Sequence, residues 1–308
     1  MRRPRCWQLI EIGEERLELR VCEGMTAQEL AMALLWSKAA VRRVLSRGQL
    51  ARDGVVLAPT VMLAPGDMVT LSFWCEQDPV RVDDTAVTVC YQDRLLLAVD
   101  KPAGLLVHAD GTEADTLTAR VQGLLARQRS GAKAQAVQRL DVETTGLVLF
   151  SLTEEFQPAL DAQVAGHDMR KRYLAVVAGE LEGTRDGWRE LSWPIGRDRH
   201  DARRMRASAS GKPALTRVCT LSCAHGRSLL LVELKTGRRH QIRVHLARAG
   251  HPIMGDVLYG GARCAEGLML HAWEERVVHP VTTETLDLRT EVPQRISRLF
   301  PAAALREW

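Results

Sequence analysis

Hydrophobic and polar positions alternate through the first part of the chain. Residues 7–21 alternate in this way, which predicts a β-hairpin. Thr26 and Glu29 have the spacing of a capping box and predict the start of a short helix. A second helix is predicted over about residues 37–47. Its polar face carries Lys38, Arg42, Arg43 and Arg47. Short strands and a Pro-Gly-Asp turn at residues 65–67 complete this segment.

From residue 87 onward the pattern changes to apolar runs that predict buried strands. These runs occupy residues 95–99, 146–150, 173–177, 229–234 and 286–288, with helical patterns at 114–128, 154–165 and 239–249. Strands interrupted by a few helices predict an α+β fold with a mixed, mainly antiparallel sheet and flanking helices. The segment Gln77-Asp78-Pro79 is the predicted linker. It divides the chain into a small N-terminal domain, residues 1–80, and a larger domain, residues 81–308.

Composition indicates an ordinary soluble globular protein. The chain has 308 residues, of which 46% are hydrophobic and 26% charged, and this length is sufficient for two domains. Its seven cysteines form no CxxC pair, so we expect reduced thiols and no zinc site. No apolar stretch has the length of a signal peptide core or a membrane span. We therefore expect a cytoplasmic protein without a membrane partner.

Positive charge is concentrated in two stripes, although the net charge is only +4. Residues 197–212 contain six Lys or Arg against two Asp, and residues 235–248 contain five Lys or Arg, two His and no acid. Such stripes suit the phosphate backbone of a nucleic acid. Each stripe is also compatible with a solvated loop or helix face.

The candidate for chemistry is Asp141, which directly precedes the apolar run at residues 146–150. A carboxylate held against a buried strand is costly unless it is paired, and the basic stretch at residues 235–250 supplies cations. An aspartate here can also be a turn residue that bonds its own backbone. Together with Glu143 it can be interpreted as the carboxylate pair of a glycoside hydrolase. The basic stripes and an aromatic content of 5% argue against a sugar-binding platform.

Several motifs follow one another in a fixed order. They are KPAGLLVH at 101–108, QRLD at 138–141 leading to Gly146, KRYLA at 171–175, GKPALT at 211–216 and TGRRHQIRVHL at 236–246. The last continues into Gly250-His251-Pro252-Ile253-Met254-Gly255-Asp256 and Tyr259-Gly260. Over about residues 87–294 the chain resembles the RluA family of RNA pseudouridine synthases. The resemblance implies a deep basic cleft, conversion of uridine to pseudouridine in structured RNA, and neither metal nor cofactor.

The resemblance also implies roles for individual residues. Asp141 matches the catalytic aspartate, and Arg139 matches the arginine that fills the space left by the flipped base. Tyr173 matches the aromatic residue that contacts the uracil. Arg243 matches the arginine that pairs with the aspartate, and we expect a bidentate contact between them. Arg239 lies four residues from Arg243, so both should face the cleft. The expected RNA contacts are Lys101, Lys212, Arg238, Arg239, His240 and Gln241.

The chain departs from the family pattern at Gln138, where histidine is usual, and more mildly at Thr145, where serine is usual. Neither change removes a reacting group, so we expect an active enzyme. A catalytically inactive RNA-binding protein is the alternative. Residues 1–80 resemble the ribosomal-protein-type RNA-binding module that often precedes RNA-modifying domains. That module favours large-subunit ribosomal RNA as the substrate, with transfer RNA as the alternative. We expect the protein to be a monomer.

Overall fold

The computed structural model describes residues 6–35, 37–73, 83, 85–109, 115–128, 130–181 and 187–300. The N-terminal elements are β1 (Trp7–Ile12), β2 (Arg16–Val21), β3 (Met25–Thr26), α1 (Ala27–Leu35), α2 (Lys38–Ser46), β4 (Leu50–Arg52), β5 (Val55–Val56), β6 (Met62–Leu63) and β7 (Met68–Ser72). The predicted linker at residues 77–79 lies outside the described residues. The domain boundary at residue 80 therefore stays a prediction.

The elements that follow begin at residue 88. They are β8 (Thr88–Gln92), β9 (Leu96–Lys101), α3 (Leu117–Arg127), β10 (Gln135–Ala136), β11 (Thr145–Ser151), α4 (Gln157–Ala165), β12 (Arg170–Ala178), β13 (Arg189–Leu191), β14 (Ile195–Arg197), β15 (Met205–Ala207), β16 (Thr216–Ala224), β17 (Arg227–Leu234), α5 (Gln241–Arg248), a 3-10 turn (Val257–Tyr259), β18 (Leu270–Val278), β19 (Thr285–Arg289) and α6 (Gln294–Ser297).

The N-terminal elements fold as the sequence pattern predicts. Among them, β1, β2, β7, β4 and β5 form a five-stranded sheet in that order. The predicted capping box is confirmed: the Thr26 N–H donates to the Glu29 carboxylate at 2.7 Å, and the Glu29 N–H donates to the Thr26 hydroxyl at 3.2 Å. Ser37 caps α2 by accepting from the Ala40 N–H.

The larger part of the chain is built on a sheet of ten described strands. Its main path is β13-β16-β17-β12-β18-β11-β9-β8, with β10 beside β11 and β19 beside β18. Within the described strands of this sheet, β11 and β18 run parallel, and the other pairings are antiparallel. The predicted α+β fold with a mixed, mainly antiparallel sheet is confirmed.

Strand β11 is buried along its whole length. Leu147 and Leu149 pack in the hydrophobic cluster that contains the N-terminal sheet and α4. Val148 and Phe150 pack in a second cluster with α3. Because both faces are covered, the strand reads as a continuous apolar run without alternation. The N-terminal elements thus share a core with the strand that follows Asp141.

Gly146 is required where β11 meets β18. Its φ is +111°, and a Cβ placed there would lie 2.1 Å from the backbone oxygen of Ala272. A side chain of any kind would push the two strands apart. This close approach holds the first residues of β11, and therefore the loop before them, against β18.

Polar contacts also join α2 to the larger part of the chain. Arg43 and Arg47 pair with Glu154, which lies three residues before the start of α4. The side-chain amide of Gln49 donates to the buried Glu155 carboxylate at 2.6 Å. Two of the four basic side chains on the predicted polar face of α2 therefore contact the protein itself. RNA binding by the N-terminal segment stays a prediction.

Candidate active site

Asp141 lies in the loop between β10 and β11. Its backbone oxygen accepts a hydrogen bond from the Thr144 N–H at 3.0 Å, which closes a tight turn. Its carboxylate is 26% exposed, so a ligand can reach it from solvent. The following residue, Val142, has a carbonyl that accepts from the Gly104 N–H at 2.9 Å. The backbone on both sides of the turn is thus held in place.

Two side chains of the motif at residues 236–246, Arg243 and His240, face this carboxylate. Arg243 Nη1 lies 3.6 Å from Asp141 Oδ2, and His240 Nε2 lies 3.8 Å from the same oxygen. Arg243 is itself buried. The structure therefore brings together Asp141 and the arginine that sequence similarity assigns to it.

The predicted bidentate contact between Arg243 and Asp141 is wrong. The Nε and Nη2 atoms of Arg243 donate instead to the two carboxylate oxygens of Asp256, at 2.8 and 2.7 Å. Asp256 is 1% exposed and needs a cation and donors more than the partly solvated Asp141 does. Asp256 occupies the two donors on one edge of the guanidinium, Nε and Nη2. The remaining amino group, Nη1, therefore points to Asp141.

Tyr259 supports the second group, His240. The Tyr259 hydroxyl accepts from the Met205 N–H at 2.8 Å, so its own proton is available to the His240 Nδ1 atom at 2.7 Å. That arrangement leaves the proton of a neutral imidazole on Nε2, toward Asp141. Burial and the charges of nearby arginines lower the pKa of His240, although the charge of Asp141 acts in the opposite direction. His240 is therefore a neutral donor at pH 7.

Tyr173 is a nearly buried aromatic residue of β12, with 7% of its surface exposed. It pairs with Ala272 of β18 and Val232 of β17 across the sheet. Burial raises the pKa of its hydroxyl well above the usual value, and the charges of Glu275 and Asp141 add to that effect. The phenol consequently stays neutral and can present a ring face and a donor near Asp141.

Lys101 is fully buried, so the expectation that it contacts RNA is not supported by its position. Its ammonium group donates to the carbonyl oxygens of Pro102, Leu105 and Val142 at 2.9, 2.6 and 2.8 Å. Burial lowers the pKa of this ammonium to about 8, which leaves it charged at neutral pH. Lys101 thus ties the turn after β9 to the residue that follows Asp141.

Comparisons with known proteins identify the family of the chain. A family model described as RNA pseudouridylate synthase matches residues 95–248. The ribosomal large subunit pseudouridine synthase D of Xanthomonas campestris pv. campestris is 34% identical over 295 residues, covering 88% of this chain and 86% of that protein. The chain belongs to the RluA family of RNA pseudouridine synthases.

Further relatives extend the match over nearly the whole chain. The protein of the same name from Nitrosomonas europaea is 30% identical, with 94% of this chain and 88% of that protein covered. The solved structure of human RNA Pseudouridylate Synthase Domain Containing 1 superposes with a TM-score of 0.56 at 26% identity, covering 70% of this chain and 87% of that chain. As a member of this synthase family, the protein is an isomerase that acts on RNA.

The remaining predicted RNA contacts of this synthase divide by exposure. Arg139, Lys212 and Arg239 are exposed, and Arg238 is partly buried with its Nε donating to the Pro213 carbonyl at 3.0 Å. Gln241 is 2% exposed, which removes it from the RNA-accessible surface. Its amide bonds Leu215, Thr216, Thr236 and the Arg238 backbone. We therefore regard Gln241 as a structural residue.

The predicted common helix face of Arg239 and Arg243 is wrong. Helix α5 begins at Gln241, and His240 before it has a left-handed φ of 56°. Arg239 consequently precedes the helix and extends to the Arg203 carbonyl, 3.2 Å from its Nη2. The left-handed backbone conformation of His240 directs its ring toward Asp141 instead of along the helix.

Asp256 and Tyr259 belong to this site, although no role was predicted for them from the sequence. They lie 13 and 16 positions after Arg243 on a loop and a 3-10 turn, so no local periodicity connects them with it. Their presence in the segment that continues the motif at residues 236–246 was the available signal. Among the described residues, no three His, Cys, Asp or Glu side chains converge as a metal site. No helix within the described ranges is long and apolar enough to cross a membrane.

Proposed function

We propose that this synthase uses Asp141 as its catalytic carboxylate on a uridine flipped out of large-subunit ribosomal RNA. The observation that supports it is the position of Asp141, a partly exposed carboxylate 3.6 Å from a buried guanidinium. A carboxylate so placed can act as nucleophile or base. Isomerisation of uridine breaks the bond between the sugar and a ring nitrogen of uracil. It then joins the same sugar carbon to a ring carbon of uracil. It needs no net oxidation and no energy source.

Base flipping fits the residues around Asp141. Extrusion of a base costs a few kcal/mol, which protein groups offset by filling the vacated space. Arg139 is exposed and precedes Asp141 by two positions. Its side chain is long enough to enter the space that the flipped base leaves in the RNA helix. The neutral Tyr173 ring offers a surface against which the extruded uracil can stack.

RNA binding is assigned to an arginine-rich hairpin, residues 195–207, beside the active site. Strands β14 and β15 form this hairpin, and the Tyr259 hydroxyl bonds its Met205 N–H. Its exposed cations are Arg197, Arg199, Arg203 and Arg206. Arg239 reaches the hairpin through the Arg203 carbonyl. Exposed guanidinium groups suit phosphate contacts, which release counterions and make binding sensitive to salt. Substitution Arg239→Ala should therefore reduce the salt slope of RNA binding by about 1.

The substrate proposal rests on the relatives. The proteins from Xanthomonas campestris and Nitrosomonas europaea are named as ribosomal large subunit pseudouridine synthases. The match to them includes most of this chain, the N-terminal segment among it. We extend that substrate class to the present protein.

The test compares wild type with Asp141→Asn. Ribosomal and transfer RNA are isolated from cells with the gene, without it, and complemented by the variant, and pseudouridines are mapped by carbodiimide modification. We expect sites in large-subunit RNA that disappear on deletion and return with wild type alone. Sites confined to transfer RNA would overturn the substrate proposal. Sites restored by Asp141→Asn would overturn the role of Asp141.

A further inference from the structure

The segment that carries Arg139 and Asp141 is fixed at both ends. At its far end the Val142 carbonyl accepts from Lys101 and from the Gly104 backbone. At its near end the Gln138 side-chain amide donates to Glu275 Oε2 at 2.6 Å. The three residues between these anchors include the exposed arginine and the catalytic carboxylate. Their position therefore depends on both anchors.

Glu275 is an unusual partner for a side chain of this loop. It lies in β18 and is 3% exposed. Lys171, its neighbour across the sheet, has its Nζ 3.8 Å from Glu275 Oε1, which is too long for a hydrogen bond. Glu275 Oε1 and Gln138 Oε1 are both buried and have no hydrogen-bond partner within the part of the chain that the structure describes. The contact between Nε2 and Oε2 is thus the hydrogen bond that joins the two groups.

Burial of a carboxyl group costs free energy unless a cation or a hydrogen-bond donor compensates it. Burial raises the pKa of Glu275, while Lys171 and Gln138 act in the opposite direction. The other buried carboxylate of the same strand, Glu274, has Arg170 and Arg289 within 2.7 Å. Among the described residues, Glu275 is paired with one cation, Lys171, at the longer distance of 3.8 Å, and its bond to Gln138 is the shorter of the two contacts.

We propose that Gln138 and Glu275 form a positioning pair that holds the near end of the catalytic segment against β18. The pair explains how glutamine serves at a position where the family usually has histidine: its amide reaches an acceptor on the neighbouring strand. Gln138 then acts through Asp141 and Arg139 and makes no contact with RNA itself. The proposal rests on the proposed catalytic role of Asp141.

The alternative role for Gln138 is a direct contact with the RNA, in place of an imidazole. The two roles predict different kinetics. If Gln138 contacts the RNA directly, its substitution should weaken RNA binding, whichever residue occupies position 275. A positioning contact is lost as a slower chemical step, and its loss is shared by Gln138 and Glu275.

The test is a double-mutant cycle of Gln138→Ala and Glu275→Leu, measured as single-turnover rate and as RNA dissociation constant. Misplacement of a reacting group by about 1 Å can slow a reaction 100-fold, so we expect each variant to lose roughly 10–100-fold in rate. The dissociation constant should change by less than about threefold, which is under 1 kcal/mol. The double variant should be no slower than the slower single variant, because both remove the same bond.

Rescue separates positioning from stability. Glu275→Gln keeps an oxygen that accepts from Gln138 and should retain a rate near that of wild type. Gln138→Glu alone places two carboxyl groups together and should be slow, whereas Gln138→Glu with Glu275→Gln restores a donor and an acceptor and should recover the rate. The matched control is Gln163→Ala. Gln163 is a buried glutamine that likewise bonds β18, through the Val278 backbone, but it lies outside the catalytic segment. Its removal should lower the melting temperature without changing the rate.

Additive losses in the cycle, or a Gln138→Ala variant that loses RNA affinity at an unchanged rate, would overturn the proposal. So would failure of the swapped pair to recover the rate while the protein stays folded. Wild type and Asp141→Asn are measured in parallel. A wild type that makes no pseudouridine, or an active Asp141→Asn, reports failure of the proposed function instead of the positioning pair.

Discussion

Two arginine–aspartate pairs of similar geometry differ in burial and allow a direct test of what holds Arg243. Arg243 bonds Asp256 through Nε and Nη2, and Arg276 bonds Asp287 through the same two atoms. The Arg243 and Asp256 side chains are 9% and 0% exposed, whereas those of Arg276 and Asp287 are 44% and 43% exposed. The substitutions Asp256→Asn and Asp287→Asn therefore remove the same charge from two different surroundings.

The expected losses in stability follow from that difference. Asparagine keeps one acceptor oxygen but turns an N–H₂ group toward the guanidinium. Breaking a buried pair costs about 3–5 kcal/mol because the remaining charge is uncompensated, and an exposed pair is worth about 0.2–1 kcal/mol. At roughly 2–4 °C per kcal/mol, Asp256→Asn should lower the melting temperature by about 6–20 °C, and Asp287→Asn by about 4 °C at most.

The loss should extend to catalysis at the buried pair alone. Without Asp256, the Arg243 fork is free to rotate, and the 3.6 Å contact from Nη1 to Asp141 is no longer fixed. We expect a single-turnover rate reduced by roughly tenfold or more at a temperature where the variant is folded, with Asp287→Asn unchanged. Thermal unfolding and RNA turnover measure the two effects. Equal destabilisation by both substitutions, or full activity of Asp256→Asn, would refute the reasoning.

Three further predictions concern residues around the loop that carries Asp141. Lys101→Met removes the hydrogen bonds from the buried ammonium to three carbonyls, of which Val142 keeps its bond from the Gly104 N–H, and should destabilise the protein by about 3 kcal/mol or more and slow turnover, as measured by urea unfolding and rate. Gly146→Ala meets the Ala272 oxygen and should cost roughly 3 kcal/mol or more, whereas Gly104→Ala, also at positive φ but with nothing within 4 Å, should cost about 1–2 kcal/mol in the same assay. Burial lowers the pKa of His271 to about 3 from 6.5. Between these two values the unfolded chain binds a proton that the folded protein does not. The free energy of unfolding should therefore fall by up to about 5 kcal/mol as the pH is lowered from 6.5 to 3, and His271→Asn should flatten that slope in acid unfolding curves.

The sequence was sufficient to predict that Asp141 and Arg243 meet, although they are far apart in the chain. Motif order carried that information, because it identifies the family and the family fixes the topology. The sequence did not reveal how the two side chains meet. Asp256 competes for the same guanidinium, and competition between two carboxylates is decided by their relative burial, which no spacing of residues displays.

The fold itself was largely predictable from apolar patterns. The continuous run at residues 146–150 indicated a strand covered on both faces, and β11 is such a strand. The sequence did not show what covers each face. One side is packed by the cluster that includes the N-terminal sheet, through pairs such as Phe73 and Phe156, whose ring centroids are 6.4 Å apart. This association depends on side chains distant in sequence, which is why the first 80 residues could be interpreted as a separate module.

Burial also decides which cations of the motifs can serve the RNA. A cation removed from water has to be compensated by the protein, so its donors are directed at internal acceptors and are unavailable to a phosphate. Lys101 and Arg243 are in this position, with their donors on backbone carbonyls and on Asp256. Arg139, Arg239 and Lys212 are exposed and keep donors for a ligand. A list of basic residues taken from sequence motifs therefore mixes two populations: the buried members hold the surroundings of Asp141 in place, and the exposed members are the ones we propose as RNA contacts.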